Sequence, residues 1–379
     1  MAYRLEFHPY QLPFKEPLIT NHGSWSVREG IIICLTEESG GSKQMSYGEI
    51  APIPWFGSET IAESLQFCQQ LAPKITSEDI WSIPDRLPAT QFGFGSAWEN
   101  LQSPLRDNNV ESPPTPLKKG GEEIVIPFKF RYSYLLQTGI AALNSWQIPW
   151  QQGYRTFKWK IGVAHIHQEL DQLHQLINLL PVGAKLRLDA NGGLNLEQAK
   201  LWLQECDQNN AIRNTPHPLT PSSTRGEGEH ESLTPLSHFG RGAGGEGSGM
   251  DKIEFLEQPL PVESFRDLLT LADSYETTIA LDESVATLRQ LKTCYAQGWR
   301  GVFVIKPSIA GYGDRLREFC QDHPIDVVFS SSLETAIGRS HALKLAQELN
   351  NPQRALGFGV DHWLGIDQET LIQQLWQGH

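Results

Sequence analysis

The sequence predicts an α/β fold, a closed (β/α)8 barrel preceded by a smaller unit of strands and helix. Three observations predict it. From about residue 127, short apolar strands alternate with amphipathic helices, the texture of parallel βα units. Those strands end in charged residues that recur about once per βα unit. Their number points to a ring more than to an open sheet. A chain of 379 residues has room for one large domain or two.

The elements follow in order. The run Ile31-Ile32-Ile33-Cys34-Leu35 reads as a buried strand, and 47–54 as a strand breaking into a proline-rich loop. Ile61, Leu65, Cys68 and Leu71 stand at helical spacing within 59–71. Residues 107–123 and 213–249 hold too little apolar surface to offset chain entropy. Three Thr-Pro pairs there, at Thr115, Thr220 and Thr234, are each followed by a Gly-Glu pair, so both segments are expected to be low-complexity inserts in surface loops. Further strands are expected at 157–161, 186–189, 253–257, 279–282, 302–306 and 327–330. Between the first two, Ile166, Leu170, Leu173, Ile177 and Leu180 form a helical stripe. The expected boundaries are 1–126 for the N-terminal unit and 127–354 for the barrel. Residues 355–379 are expected to supply a last strand and a segment returning to the N-terminal unit.

Charge and cysteine usage exclude several classes. The 31 basic and 44 acidic residues leave a net charge of −13, which argues against nucleic acid or anionic lipid as a partner. No run of 18 apolar residues spans a membrane, and the N-terminus lacks the apolar core of a signal peptide. Five cysteines with no close pair suit a reducing, cytoplasmic home. Composition leaves monomer and homo-oligomer both open.

The charged strand ends carry the chemistry. They are Lys158 and Lys160, Asp189, Glu257, Asp282 and Lys306. Counted from Lys160, the steps are 29, 68, 25 and 24, and removing the 37 residues of 213–249 cuts 68 to 31. Each group therefore falls at the C-terminal end of a successive strand, where barrel enzymes build their sites. Lys158 and Lys160 lie two apart and point to one face. Three carboxylates converging in a buried pocket need a counter-charge, and an all-oxygen set favours Mg²⁺, with Mn²⁺ as a substitute, over zinc. Such a metal facing lysines suits removal of a proton alpha to a carboxylate. The product, an ene-diolate, carries two negative oxygens, and a lysine that takes the proton must be neutral at working pH.

With Lys158-Trp159-Lys160, Asp189-Ala190-Asn191, Glu257-Gln258-Pro259, Asp282-Glu283-Ser284 and Lys306-Pro307 in place, the chain resembles the enolase superfamily. The lysine pair with a further lysine on the sixth strand resembles its muconate-lactonizing subgroup, and within it the o-succinylbenzoate synthase family. The stretches 47–60, 330–335 and 356–359 are similar to that family's capping loop, strand-seven segment and strand-eight turn. The resemblance implies a modified TIM barrel with an α+β capping domain. It implies a dehydration that forms o-succinylbenzoate, on the route to menaquinone or phylloquinone. It implies Lys160 as the base, Lys306 as a cation lying across the ring, and Lys158 as an aid to the substrate carboxylate. Asp189, Glu257 and Asp282 would hold Mg²⁺. Arg187, Asn191, Ser330, Ser331, Ser332 and Gly357 would meet the substrate, a small dicarboxylate precursor of an aromatic ring.

Singly, each of these residues has a plainer reading: a strand-end Asp caps a helix, and lysines two apart mark a solvated strand. Their conjunction at one-unit spacing carries the assignment. Glu254 is expected behind the ligands, and Glu283 is expected to point away. No histidine is expected in the chemistry, with His341 and His362 at the surface or as caps. Trp55 and Phe56 read either as core or as a loop over the pocket. Rival functions are an N-succinylamino acid racemase, a dipeptide epimerase, or a scaffold with a relic site. The epimerases favour Asp-x-Asp after strand eight, and here the chain reads Gly359-Val360-Asp361.

Overall fold

The apolar run at 31–35 builds the N-terminal unit. In the computed structural model, which describes residues 1–39, 42–102, 117–119, 122–124, 131–214, 252–360, 364 and 368–376, it lies mid-way along β2. Strands β1 (Ala2–Thr20) and β2 (Gly23–Ser39) form a long hairpin, extended by β3 (Ser42–Ile50) and by β4 (Lys74–Thr76) in the order β3-β2-β1-β4, all antiparallel. The residues alternate between two cores. Ile31, Ile33 and Leu35 pack with Phe94 and Ala97 of the helix Pro88–Gln102, while Ile32 meets Ile337 and Leu371 from the rest of the chain. A Cβ on Gly48 would lie 2.0 Å from the Gly93 carbonyl, so glycine there lets helix and sheet close. The helix expected within 59–71 runs Ile61–Gln70, capped by Thr60 and Glu63 in a capping box.

A short hairpin, β5 (Leu117–Lys119) with β6 (Glu122–Ile124), stands where the first insert was expected to be structureless. Most of the second insert lies outside the described residues; the helix Leu196–Asn214 enters its first two positions.

The barrel strands are β7 (Tyr132–Leu135), β8 (Thr156–Lys160), β9 (Lys185–Asp189), β10 (Ile253–Glu257), β11 (Ile279–Leu281), β12 (Val302–Ile305), β13 (Asp326–Phe329) and β14 (Leu356–Gly359). They pair in parallel in the order β13-β12-β11-β10-β9-β8-β7-β14, and a bridge from Ser330 to Gly357 closes the ring. Outward residues such as Phe157, Trp159 and Leu188 join the core shared with Leu170, Leu173 and Ile177 of the helix Ile166–Leu179. The helix Gln368–Trp376 then packs on Tyr10, Leu12 and Tyr47 of the N-terminal sheet, where the Trp376 indole N–H donates to Glu6 at 3.0 Å.

His341 is not at the surface. It is 8% exposed on the helix Ala336–Leu349, its ring 3.2 Å from the Tyr47 carbonyl of β3, and burial lowers its pKa to about 4. His362 and Asp361 lie outside the described residues.

Candidate active site

Strand register sets the charged residues at one level. Lys160 is paired with Asp189, Asp189 with Glu257, and Glu257 with Ala280, two positions before Asp282. Inward parity on β8 puts Lys158 and Lys160 inside the ring. Strand β12 lies four places from β8 in a ring of eight, so Lys306, the residue after β12, faces that pair across the barrel.

The ammonium groups and carboxylates interlock. Lys158 Nζ donates to Glu257 Oε1 at 2.7 Å and lies 2.8 Å from Asp189 Oδ2. Lys160 Nζ donates to the same Asp189 oxygen at 2.8 Å. Lys306 pairs with Asp282, and its Nζ stands 4.3 Å from the centroid of the Phe56 ring, which the capping loop supplies. The three acids are each 1% exposed. Burial raises the Glu257 pKa; Lys158 opposes this, Asp189 and Asp282 add to it, and the result is about 7. Burial also raises Asp282. Burial would raise Asp189, but Lys158 and Lys160 outweigh it and hold the carboxyl below its usual range. Lys158 shows the converse, burial lowering its pKa and Asp189 and Glu257 lifting it above the ordinary value.

Among the described residues no three His, Cys, Asp or Glu side chains stand in ready metal-binding geometry, because each acid faces a lysine. The donor set itself fits a hard divalent cation. It offers three carboxylates from adjacent strands and no sulfur or nitrogen, and such a cation would offset the burial, joined by Asp189 and Asp282, that lifts Glu257.

A cavity of about 210 Å³ opens over this cluster. The barrel lines it with Lys158, Lys160, Asp189, Asn191, Asp282 and Lys306, and with Ser330, Ser331, Ser332 and Gly357. Ser331 and Ser332 are held by Glu334, which accepts from both hydroxyls at 3.0 and 2.7 Å. Glycine at 357 is required, since a Cβ there would lie 2.6 Å from Ser330 Oγ. The N-terminal unit roofs the cavity with Thr20, His22 and Trp25 from the β1–β2 hairpin and with Ile53, Trp55 and Phe56. Trp55 and Phe56 thus form a loop over the pocket, which makes the N-terminal unit a cap.

Three expectations are corrected. Arg187 does not line the cavity: it is 2% exposed, its Nε donates to Glu254 at 2.7 Å, and its guanidinium lies over the Phe255 ring. Paired with Glu254 and stacked on Phe255, it braces the barrel interior. Glu283 does not point away; it is buried and accepts from Asn191 Nδ2 at 2.9 Å. His22 enters the site from the hairpin turn, its Nε2 3.7 Å from Glu283 Oε1. No local motif marks His22; the sole sequence signal is Gly23 behind it, at φ +107°, which turns the hairpin. Glu254 turns inward through a register break between Ile253 and Phe255 and also meets Arg354 at 3.0 Å.

Comparisons with known proteins bear on the fold and the family. Residues 3–101 match the family model described as MenC, N-terminal domain. An o-succinylbenzoate synthase of Thermosynechococcus vestitus is 37% identical, with 99% of this chain and 98% of that protein covered. One of Proteus mirabilis is 24% identical over 97% and 91%. The crystal structure of o-succinylbenzoate synthase from Thermosynechococcus elongatus BP-1, complexed with Mg in the active site, is similar at TM-score 0.76 and 36% identity, over 99% of this chain and 100% of that one. A dipeptide epimerase from Enterococcus faecalis, 17% identical at TM-score 0.70 over 97% and 93%, shares the fold.

The capped (β/α)8 barrel is the fold of that synthase and, at 16% identity and TM-score 0.69, of a muconate lactonizing enzyme. At 37% identity to a relative across the full length, the chain belongs to the o-succinylbenzoate synthase family.

Proposed function

We propose that this chain dehydrates 2-succinyl-6-hydroxy-2,4-cyclohexadiene-1-carboxylate to o-succinylbenzoate and water, a step toward menaquinone or phylloquinone. The observation that carries the reading is the facing of Lys160 and Lys306 across three buried carboxylates. Asp189, Glu257 and Asp282 would hold Mg²⁺, with Mn²⁺ as a substitute. Bound there, the ion supplies positive charge that offsets the two oxygens of an ene-diolate.

The chain's own residues do the rest. Lys160 takes the proton from the ring carbon bearing the carboxylate, and the C–H electron pair moves into the carboxylate as an ene-diolate. Lys158 lies beside that carboxylate and favours its negative charge. The pair then returns to the ring as the C–O bond to the hydroxyl breaks, and Lys160 gives its proton to the departing oxygen, so water leaves. Lys306, held against Phe56 and Asp282, presents its ammonium across the ring. Ser330, Ser331, Ser332 and Gly357 flank the position of the succinyl arm, and the aromaticity gained supplies most of the driving force. Five unpaired cysteines support a reducing, cytosolic setting. Among the described residues no helix is long and apolar enough to cross a membrane.

The purified chain with Mg²⁺, given the cyclohexadiene acid and N-succinylamino acids in parallel, tests this. Fast formation of o-succinylbenzoate is expected. Faster racemisation of an N-succinylamino acid, or no conversion of the diene, contradicts it.

A further inference from the structure

A lysine amine that acts as a base must aim its lone pair. Lys160 Nζ has three positions besides its carbon, and two are occupied by acceptors: Asp189 Oδ2 at 2.8 Å and Asn191 Oδ1 at 2.5 Å. The third is left for the cavity. Asn191 is itself tightly placed. Its backbone sits in the left-handed region at φ 45°, its N–H donates to Asp189 Oδ1 at 3.1 Å, and its Nδ2 donates to Glu283 Oε1 at 2.9 Å.

An asparagine amide can present either end. With Nδ2 turned toward Lys160, it would donate to the amine's lone pair and hold it away from substrate. A carboxylate only accepts, so Glu283 forces Nδ2 to its own side and Oδ1 to the lysine. The placement of Glu283 suits this task. It lies in the tight turn Glu283–Val285 that follows Asp282, its side chain is 3% exposed, and its other oxygen, Oε2, is buried with no hydrogen-bond partner. His22 of the cap approaches Oε1 to 3.7 Å, so the hairpin tip closes over the same carboxylate.

We propose that Glu283 is a positioning residue for the proton transfer, acting through Asn191 to set which end of the amide meets Lys160 and so where the lysine's free position points. The inference rests on Lys160 being the base of the proposed function.

The test uses the full chain with Mg²⁺ and four variants: Glu283→Gln, Glu283→Met, Asn191→Ala and the double variant E283Q/N191A. Each is measured for kcat, KM, Mg²⁺ affinity by calorimetry, and the isotope effect with substrate deuterated at the carbon alpha to the carboxylate. E283Q is expected to lower kcat roughly tenfold, with KM and Mg²⁺ affinity within about twofold. The isotope effect is expected to rise, since proton transfer becomes slower. N191A is expected to lose a similar factor, and the double variant no more than N191A alone. E283M removes the acceptor without leaving an amide and serves if E283Q does not fold; the same loss is expected. Wild-type kcat in E283Q and E283M overturns the inference. So do losses that multiply in the double variant, or a loss that follows Mg²⁺ affinity, which would route the effect through Asp282. A wild-type chain that turns over nothing overturns the function and this inference together. A working wild type with unmoved Glu283 variants overturns this inference alone.

Discussion

In the proposed reaction Lys160 is the residue on which the chemistry turns, and its surroundings separate catalysis from folding. Its ammonium is one of two on Asp189 Oδ2, so removing it leaves that carboxylate with Lys158. Lys160→Ala is therefore expected to lower turnover on the order of 10³-fold or more, with the melting temperature and Mg²⁺ binding retained. Activity within tenfold of wild type would refute its role as base. Phe56 offers a milder perturbation, since its ring faces the Lys306 ammonium. Phe56→Leu keeps the apolar contact and loses the π-face, which should cost about 0.5–1 kcal/mol, a few-fold in kcat. An unchanged kcat would show that the ring does not tune Lys306. The six charged residues were legible in the sequence because strand ends repeat along the chain. Asn191, Glu283 and His22 were not legible in their roles. The left-handed backbone at Asn191 and the turn after Asp282 set where the first two side chains point, and neither follows from spacing. His22 reaches the site only because a long hairpin folds back over the barrel.

At the scale of elements, burial pattern separated what could be read from what could not. Strands such as β12, apolar and wholly buried, stand out against their helices. The first barrel strand, Tyr132-Ser133-Tyr134-Leu135, carries a polar Ser and only one aliphatic, so its pattern does not mark a buried strand. The inward turn of Glu254 needed the register break on β10, which leaves no mark in composition. The second insert is bounded by a clasp: Asn210 accepts from Ile253 N–H at 3.2 Å and donates to its carbonyl at 3.1 Å. The helix and β10 are thus held together independently of 215–247. Deleting 215–247 is expected to change stability by less than about 1 kcal/mol and to leave kcat unmoved. A large drop in either, read by thermal melt and steady-state rate, would mean that the insert packs or functions. The helix Ala336–Leu349 carries a pH-dependent contact. His341 has a folded pKa near 4, lowered by burial from an ordinary 6.5, so the fold favours its neutral form. Its stabilisation is full above pH 6.5 and drains away as pH falls toward 4, by up to about 3 kcal/mol. His341→Gln should therefore flatten the fall in melting temperature between pH 7 and 5. An equal fall in variant and wild type would exclude His341 as its source.

Over the whole molecule, two cores meet at one cavity. The cap has its own core of Ile31, Ile33, Leu35 and Phe94, and the barrel has another around Phe157, Trp159 and Trp202. Glu49 of β3 bolts them together: its carboxylate accepts from the Tyr10 hydroxyl at 2.5 Å, from Thr335 N–H at 2.9 Å and from Gly338 N–H at 2.8 Å. Thr335 follows the serine segment of the cavity wall, so the cap and that wall are set by one carboxylate. Barrel and charged ring were foreseeable from alternation and spacing, the cap from the family resemblance of 47–60. The face on which cap meets barrel was not, since Ile32 and Glu49 look like ordinary strand residues until the helix Ala336–Leu349 is placed beside them. The proposed chemistry requires that Asp189, Glu257 and Asp282 serve a single ion beside Lys160. Anomalous diffraction from a crystal soaked in Mn²⁺ measures this directly. One strong peak about 2.1 Å from an oxygen of each of the three acids is predicted. A peak elsewhere, or acids that stay on their lysines with no peak among them, would contradict the account.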